Sequence, residues 1–446
     1  MVVVVRDTPA GDAAAGNGAV GRVADRSARV VVIGQGYVGL PVAMRAVQVG
    51  FSTFGFDVDE QRVSALAAGR SHVGDVSDAE LTEALGDGYR VSCDPADLAG
   101  FDVAVISVPT PLHDGAPDLS AIELAGASLA PHVRPGCCVI LESTTYPGTT
   151  VELLGPILTA GSGLEPGTDF HLGYSPERID PGNTSWTLVT TPKVVSGIDE
   201  ASLAVVDAFF STLVTTTVPV ATCAEAEMTK LLENTFRHVN IALVNELAMF
   251  AHELDIDVWN VIAAAATKPF GFMRFTPGPG VGGHCLPIDP TYLSWWVKED
   301  LGRPFRFVEL ANEINDRMPE HVAERVVRLL NEHGQVANGA RVLMLGLAYK
   351  AATGDWRESP SIAVLEALQS WGVEVDVCDP HVDPSRLPAG VEALVPCEDL
   401  VLSNVDLVLV MVDHPEFDPA RIAATAPLVF DAKDLLRSHE MKGVRL

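Results

Sequence analysis

The sequence predicts an α/β protein: two Rossmann-like, doubly wound parallel-sheet domains joined by a helical region. Three observations predict it. Short β-branched runs alternate with helical stretches from Arg29 to about Thr217, strand signals vanish between Ala224 and about Glu332, and the alternation returns after Gly339.

The chain has 446 residues, 48% of them apolar, enough to bury more than one core and to form about two to four domains. A formal charge of −29 argues against nucleic acid or an anionic membrane as partner, because Lys and Arg would have to neutralise phosphates. An anionic ligand therefore needs a local basic pocket. Seven cysteines show no CxxC pair, which fits free thiols in a reducing compartment; a cytoplasmic location is expected, and no metal site is read. The opening MVVVV is too short for a signal-peptide core, and no apolar run spans a bilayer.

Taken in order, residues 1–27 are expected to form a mobile tail, since residues 6–27 are rich in Gly, Ala and Asp without apolar periodicity. Residues 28–217 follow as a dinucleotide-binding domain. The runs VVVIG, STFGFD, DVAVISV, CCVILES and KVVSG read as strands of a parallel sheet with crossover helices. Residues 218–333 form the helical region, with a long Ala/Leu/Met-rich stretch from Glu225 to Ala266 and a Gly/Pro loop, TPGPGVGG. Residues 334–446 return to α/β through RVLMLG, VEVDVCD and VDLVLVMVD. This part echoes the first: Gly34 and Gly346 each close a first strand, Asp57 and Asp379 each a second. Only the first carries three spaced glycines, so the second should hold something other than a dinucleotide.

The segment RVVVIGQGYVGLP places Gly34, Gly36 and Gly39 between an apolar strand and a helix. The first glycine permits the tight turn, the second lets backbone approach a pyrophosphate, and the third allows close helix packing. A glycine turn without a ligand is the bland alternative. Asp57 tips the balance, since it stands where an acid must hydrogen-bond the adenosine ribose. Its carboxylate favours NAD over NADP, although Arg62 five residues on could tolerate a 2′-phosphate. Thr110 in SVPTP and Thr144 in ESTTYPGTT lie just past later strands, at the edge where open α/β sheets bind ligands.

The chemistry is expected around Cys285 in PGPGVGGHCLPIDP, with Asp289 four residues beyond. Alone, Cys285 would read as a buried structural cysteine. Gly280, Gly282 and Gly283 clear side chains from the approach to the thiol, which an inert cysteine does not need. Upstream, AEMTKLLENTFRHVN reads as a helix carrying Lys230, Asn234 and His238 along one face. The bland alternative for Lys230 is an exposed helix lysine, and for His238 that reading is preferred. Glu177 in YSPERIDPGN sits in a loop, where a lone Glu is more often merely solvated.

Together, GQGYVGLP, ISVPTP, ESTTYPGTT, SPERIDPG, AEMTKLLENTFR, GPGVGGHCLPIDP and GLAYKAATGDWRESPS resemble the UDP-glucose, UDP-N-acetylhexosamine and GDP-mannose dehydrogenase family, from about Arg29 to the C-terminus. SPERIDPG and TKPFGFM are more similar to the N-acetylhexosamine branch. The resemblance implies a central dimerisation region, hence a homodimer, and a C-terminal domain that binds the nucleotide of the sugar. It also implies Cys285 as nucleophile, with Lys230, Asn234 and Asp289 at catalytic positions and Glu177 and Thr144 contacting substrate or ordering water. The cofactor contacts it implies are Gly34, Gly36, Tyr37, Val38 and Gly39, then Asp57, Arg62, Thr110, Thr144 and Arg357. Its substrate contacts are Glu177, Arg178, Lys230 and Asn234, with Phe275, Gly282 and Lys350, the last at the phosphate. Ala351, Ala352, Trp356 and Arg274 depart from the commoner residues of the family.

The reaction so implied is a four-electron oxidation of the C6 alcohol of a nucleotide sugar to a carboxylate with NAD. UDP-N-acetylglucosamine, UDP-N-acetylmannosamine or UDP-glucose is the expected substrate, with dTDP-glucose as an alternative. A two-electron β-hydroxyacid dehydrogenase would need neither the Cys285 loop nor a second α/β domain. A non-catalytic NAD or nucleotide-sugar sensor would not need the catalytic set.

Overall fold

The computed structural model describes residues 18–113, 115–179, 185–283, 286 and 288–446. The chain divides into two compact units, one running through Glu233 and the other Asn234–Leu446.

In the first unit an eight-stranded sheet is built from β1 (Arg29–Ile33), β2 (Ser52–Phe56), β3 (Arg90–Ser92) and β4 (Val103–Ile106), with a small separate hairpin of β5 (Leu112–His113) and β6 (Ala116–Pro117). The sheet continues with β7 (Cys138–Leu141), β8 (His171–Tyr174), β9 (Lys193–Gly197) and β10 (Thr217–Pro219), in the order β10-β9-β8-β7-β4-β1-β2-β3. Successive residues of β1 alternate between two cores: Val30 and Val32 join one, Val31 and Ile33 the other. Both faces are covered, which is why these strands read as unbroken apolar runs. The crossover helices are α2 (Gly39–Gln48), α3 (Glu60–Ala67), α4 (Asp78–Gly86), α5 (Ser120–Leu129), α6 (Gly155–Ser162) and α7 (Glu200–Leu213).

Two expectations are corrected here. Residues 18–27 are not tail: α1 (Ala19–Ala24) buries Ala19 and Val23 in the sheet core, and Arg22 pairs with Asp102 at 2.7 Å. Two buried side chains and one ion pair anchor a six-residue helix too short to show periodicity. Nor is the sheet wholly parallel. β9 runs antiparallel to β8, with Tyr174 opposite Ser196: the chain re-enters the sheet at the edge where β8 ends, and among the described residues no helix lies between the two strands.

α8 (Cys223–Glu253), 31 residues and about 46 Å long, starts in the first unit and runs into the second. It is followed by α9 (Val258–Ala265), α10 (Asp289–Leu301) and α11 (Arg306–Glu332), the expected helical region. The second sheet has five strands, all parallel: β11 (Arg341–Leu345), β12 (Glu374–Cys378), β13 (Leu407–Val410), β14 (Val429–Asp431) and β15 (Gly443–Arg445), ordered β12-β11-β13-β14-β15. Its helices are α12 (Pro360–Ser370), α13 (Asp399–Ser403) and α14 (Pro419–Thr425). Among the described residues no helix is long and apolar enough to cross a membrane.

Candidate active site

The glycine turn after β1 is shaped by contacts a side chain would break. Gly34 has φ +89°, and a Cβ there would lie 2.1 Å from the Ser107 carbonyl oxygen; one on Gly39 would lie 1.9 Å from the oxygen of Gly34. A Cβ on Gly36 would meet nothing within 4 Å among the described residues, so packing does not require glycine there. Tyr37 is half-exposed beside it, and Val38 caps α2. Between the glycines Gln35 is buried, accepts a 2.6 Å hydrogen bond from the Tyr89 hydroxyl and donates to the Val32 carbonyl. That lock was missed in the sequence, where Gln35 occupies a variable position of the motif.

Asp57 is buried and accepts from Gln35 N at 2.8 Å and Asp59 N at 3.0 Å. Arg62 pairs with it at 2.8 Å. The Arg62 guanidinium is thus engaged by Asp57 rather than presented to a 2′-phosphate, and the turn with its acid fits the pyrophosphate and ribose of NAD. Thr110 donates to the Thr144 carbonyl at 2.8 Å, bringing those two loop residues together.

Glu177 is not merely solvated. It is buried, its Oε1 accepting from Arg178 N at 2.6 Å and Ile179 N at 2.8 Å, its Oε2 from Lys193 Nζ at 2.6 Å. Lys193 also holds Glu142 at 2.5 Å. Burial pushes Glu177 upward, but Lys193 and the two backbone N–H groups outweigh it and hold its carboxyl below the ordinary range. The Arg178 side chain points to α8 and the chain itself: Nε and Nη2 pair with Glu233, and Nη1 donates to the Pro192 carbonyl at 2.6 Å. Glu227 fastens α8 a second time, accepting from Gly148 N and from Thr150 N and Oγ1 at 2.6–2.9 Å. Lys230 lies three residues from each fastening and is buried, so it is no ordinary surface lysine.

In the second unit Asn234 donates a short hydrogen bond to Asp289, the buried first residue of α10, where a carboxylate is favoured by the helix dipole. Cys285, together with His284 and Pro287, lies outside the described residues. The glycines before it are in tight packing contact. A Cβ on Gly282 would meet the Glu358 oxygen and Pro360 at 2.7 Å; one on Gly283, φ +89°, would meet the Tyr349 ring at 3.0 Å. Gly280, at φ +136°, approaches Pro360 in the same way.

His238 is buried, not surface: its Nε2 lies 2.7 Å from Asn312 Oδ1. Beside it an amide chain runs from Asn315, which accepts from Asn245 at 2.9 Å, to Gly278 N, which donates to Asn245 at 3.0 Å, tethering the glycine loop to α8 and α11. Phe275 packs edge-on to Phe236, with centroids 5.7 Å apart, and lines a cleft of about 320 Å³ with Arg237, Arg274, Gly280 and Lys433. Three cations thus share one cleft; Arg237 closes the stretch AEMTKLLENTFR, whereas Lys433 belongs to no motif. Lys350 Nζ sits 5.7 Å from the Tyr349 ring, and Arg357 pairs with Asp355 at 2.8 Å.

Known proteins share this organisation. Residues 28–214 match the NAD binding domain of the UDP-glucose/GDP-mannose dehydrogenase family, 224–317 its central domain and 343–438 its UDP binding domain. The UDP-N-acetyl-D-mannosamine dehydrogenase of Pyrococcus horikoshii is 36% identical over 391 residues, 87% of this chain and 90% of that one. The UDP-N-acetyl-D-glucosamine 6-dehydrogenase of Pseudomonas aeruginosa is 36% identical over 356 residues, 79% and 83% of the two chains. The solved structure of the Pyrococcus horikoshii UDP-D-ManNAc dehydrogenase superposes with a TM-score of 0.84 at 32% identity, covering 93% of this chain and 99% of the other. Three family domains in chain order, with an NAD turn intact in its geometry, establish that the chain is an NAD-dependent nucleotide-sugar dehydrogenase and belongs to the UDP-glucose/GDP-mannose dehydrogenase family.

Proposed function

We propose that this enzyme oxidises the C6 alcohol of a UDP-N-acetylhexosamine, UDP-N-acetylglucosamine or UDP-N-acetylmannosamine, to the carboxylate. The observation that carries the reading is the hydrogen bond from Asn234 to Asp289, which ties α8, one turn past Lys230, to the residue four positions beyond Cys285. NAD, when bound, accepts the hydrides. Lys230, or a water beside it, takes or stabilises the proton of the alcohol as the aldehyde forms. The thiolate of Cys285 adds to that aldehyde, because the resulting thiohemiacetal gives up a second hydride far more readily than an aldehyde does. Lys230 and Asn234 stabilise its oxyanion, an effect worth about 3–4 kcal/mol in comparable sites. Asp289, or Glu177 through a water, promotes hydrolysis of the thioester. The cleft of Arg237, Arg274, Phe275 and Lys433 takes the anionic nucleotide, and Lys350 meets its phosphate.

The names of the similar enzymes favour the N-acetylhexosamines over UDP-glucose and dTDP-glucose. Residues 28–217 bind NAD, 218–333 dimerise and 334–446 hold the nucleotide. A homodimer is supported by the exposed stripe Phe236, Leu243, Leu247 and Phe250 along α8, with Leu254 just past its end, whose burial a partner would provide. The enzyme works in the cytoplasm. The test is NADH formation and product mass with the four nucleotide sugars. Two NADH per N-acetylhexosamine are expected; one NADH with an aldehyde product, or turnover of UDP-glucose alone, overturns the reading. Cys285→Ser should still bind both ligands but stall before carboxylate release, and full steady-state turnover by that variant removes Cys285 from the mechanism.

A further inference from the structure

We infer that Glu142 and Lys193 act in the reaction as positioning residues for Glu177: Lys193 clamps both carboxylates, and the protonation of Glu142 governs how firmly it holds Glu177. The inference rests on the role given to Glu177 above.

The three groups meet because of the strand that reverses. Tyr174 of β8 lies opposite Ser196 of β9, so three steps onward along both chains Glu177 faces Lys193, the first residue of β9. On the other side of β8, Leu141 of β7 pairs with Tyr174, which delivers Glu142 to the same edge. Lys193 Nζ bonds Glu142 Oε1 at 2.5 Å and Glu177 Oε2 at 2.6 Å, and its remaining side faces the Phe210 ring of α7 at 5.0 Å. The Glu142 and Lys193 side chains are 0% and 3% exposed. Beyond them Arg178, bonded to Glu233, fixes the far end of the Glu177 segment. Lys193 from β9 and Glu177 from the segment after β8 are thus the charged groups that face Glu142.

Two carboxylates around one ammonium carry a net negative charge in a site closed to water, and a proton on one carboxylate relieves it. Glu177 accepts three hydrogen bonds. Glu142 accepts one from Lys193, and its Oε2 is buried without a hydrogen-bond partner among the described residues. The proton therefore belongs on Glu142, where burial, partly offset by Lys193, pushes the carboxyl up to about 7. With that proton on, the charge of Lys193 falls wholly on Glu177, which is then a poor proton acceptor. With it gone, Lys193 is shared and Glu177 becomes more basic, able to activate water. Turnover limited by hydrolysis then rises with pH through neutrality.

The test is the pH profile of kcat for Glu142→Gln, which keeps the shape and an acceptor for Lys193 but cannot titrate. Wild-type kcat is expected to rise about tenfold from about pH 6 to about pH 8, and the variant's by less than about threefold, with KM for NAD within about twofold of wild type. Glu227 of α8, another buried carboxyl pushed up to about 7, is common to both proteins, so the difference between profiles belongs to Glu142. An unchanged profile in Glu142→Gln overturns the inference. Should that variant not fold, Glu142→Asp, which withdraws the carboxylate from Lys193, decides: its inflection must move, and one that stays in place overturns the inference equally. Glu177→Gln tests the underlying reading separately: wild-type turnover there removes Glu177 from the reaction, whereas its loss beside an unaltered Glu142→Gln profile sinks only the present proposal.

Discussion

The two sheets open with the same turn and spend its acid differently. In each, a glycine of positive φ ends the first strand, Gly34 at +89° and Gly346 at +99°, and an aspartate after the second strand reaches back to the N–H groups of that turn. Asp379 accepts from Leu347, Ala348, His381 and Val382 N–H groups and from Nε2 of the buried His414. The Nδ1 of His414 accepts from Ala352 N, which leaves the ring proton on Nε2, aimed at Asp379. Burial pushes Asp379 up, yet His414 and the backbone donors outweigh it and hold the carboxyl well below the usual range. Asp57 takes two backbone donors, and its remaining partner is Arg62, an outer side chain able to swing aside. One carboxylate is enclosed by the fold; the other is left with a replaceable partner. The shared turn is therefore a structural device, and the two units differ in what closes its acid.

The largest effect should come from removing each acid in turn. Asp379→Ala orphans four N–H groups and a buried histidine, and should lower stability by about 3–5 kcal/mol in urea unfolding. Asp57→Ala frees two N–H groups and an arginine that can turn to water, for a loss of about 1–2 kcal/mol. Its cost should fall on the cofactor instead: at least about a tenfold rise in KM for NAD, and a lower preference for NAD over NADP once Arg62 is released. Equal stability losses for the two variants would dissolve the comparison.

The glycines sharpen it further. Gly34→Ala and Gly346→Ala place a Cβ 2.1 Å from a Ser107 oxygen and 2.4 Å from the Val412 side chain, so both should destabilise by several kcal/mol, on the order of 3. Gly36→Ala meets no protein atom, and its melting temperature should stay within about 1–2 °C of wild type while KM for NAD rises severalfold. A Gly36→Ala enzyme with wild-type NAD affinity would mean that no ligand passes over that residue.

What the sequence revealed was local. Gly34, Gly36, Gly39 and Asp57 lie within one strand-turn-helix-strand unit, and their spacing alone implies their roles. The Glu142–Lys193–Glu177 group was hidden because its members are 16 and 51 residues from Lys193 and meet only through the reversal of β9. Likewise Arg178 and Glu233 are 55 residues apart, and Asn245 and Asn315 70 apart. The loop glycines before Cys285 also meet a need that no local pattern shows, since Tyr349 and Pro360 leave little room for a Cβ. Lys433 belongs to no motif, and only the cleft reveals it.

The smallest effect is a difference in slope. In the first unit Glu142 and Glu227 have folded pKa values raised to about 7, so their favourable contribution is complete below the unfolded value near 4.5 and is lost as pH rises through 7. In the second, His321 is pushed down to about 4 by burial and by Arg325, His252, Arg328 and Arg317. Its contribution is complete above the unfolded value near 6.5 and is lost as pH falls through 4. Between about pH 7 and pH 5 acidification should therefore steady the surroundings of Glu142 and Glu227 in the first unit and loosen those of His321 in the second, where Asp316 and Asp431, raised by burial, act the other way. His72 and His171 of the first unit are also lowered by burial and act against that gain. Amide hydrogen exchange, corrected for intrinsic rates, should show protection rising on acidification, on the order of twofold to fivefold, in β7 and the start of α8. Protection should fall by a similar factor in α11, and His321→Asn should abolish that fall while leaving β7 as it was. Parallel shifts in both regions would mean that the buried carboxylates and the buried histidine do not divide the pH response between the two units.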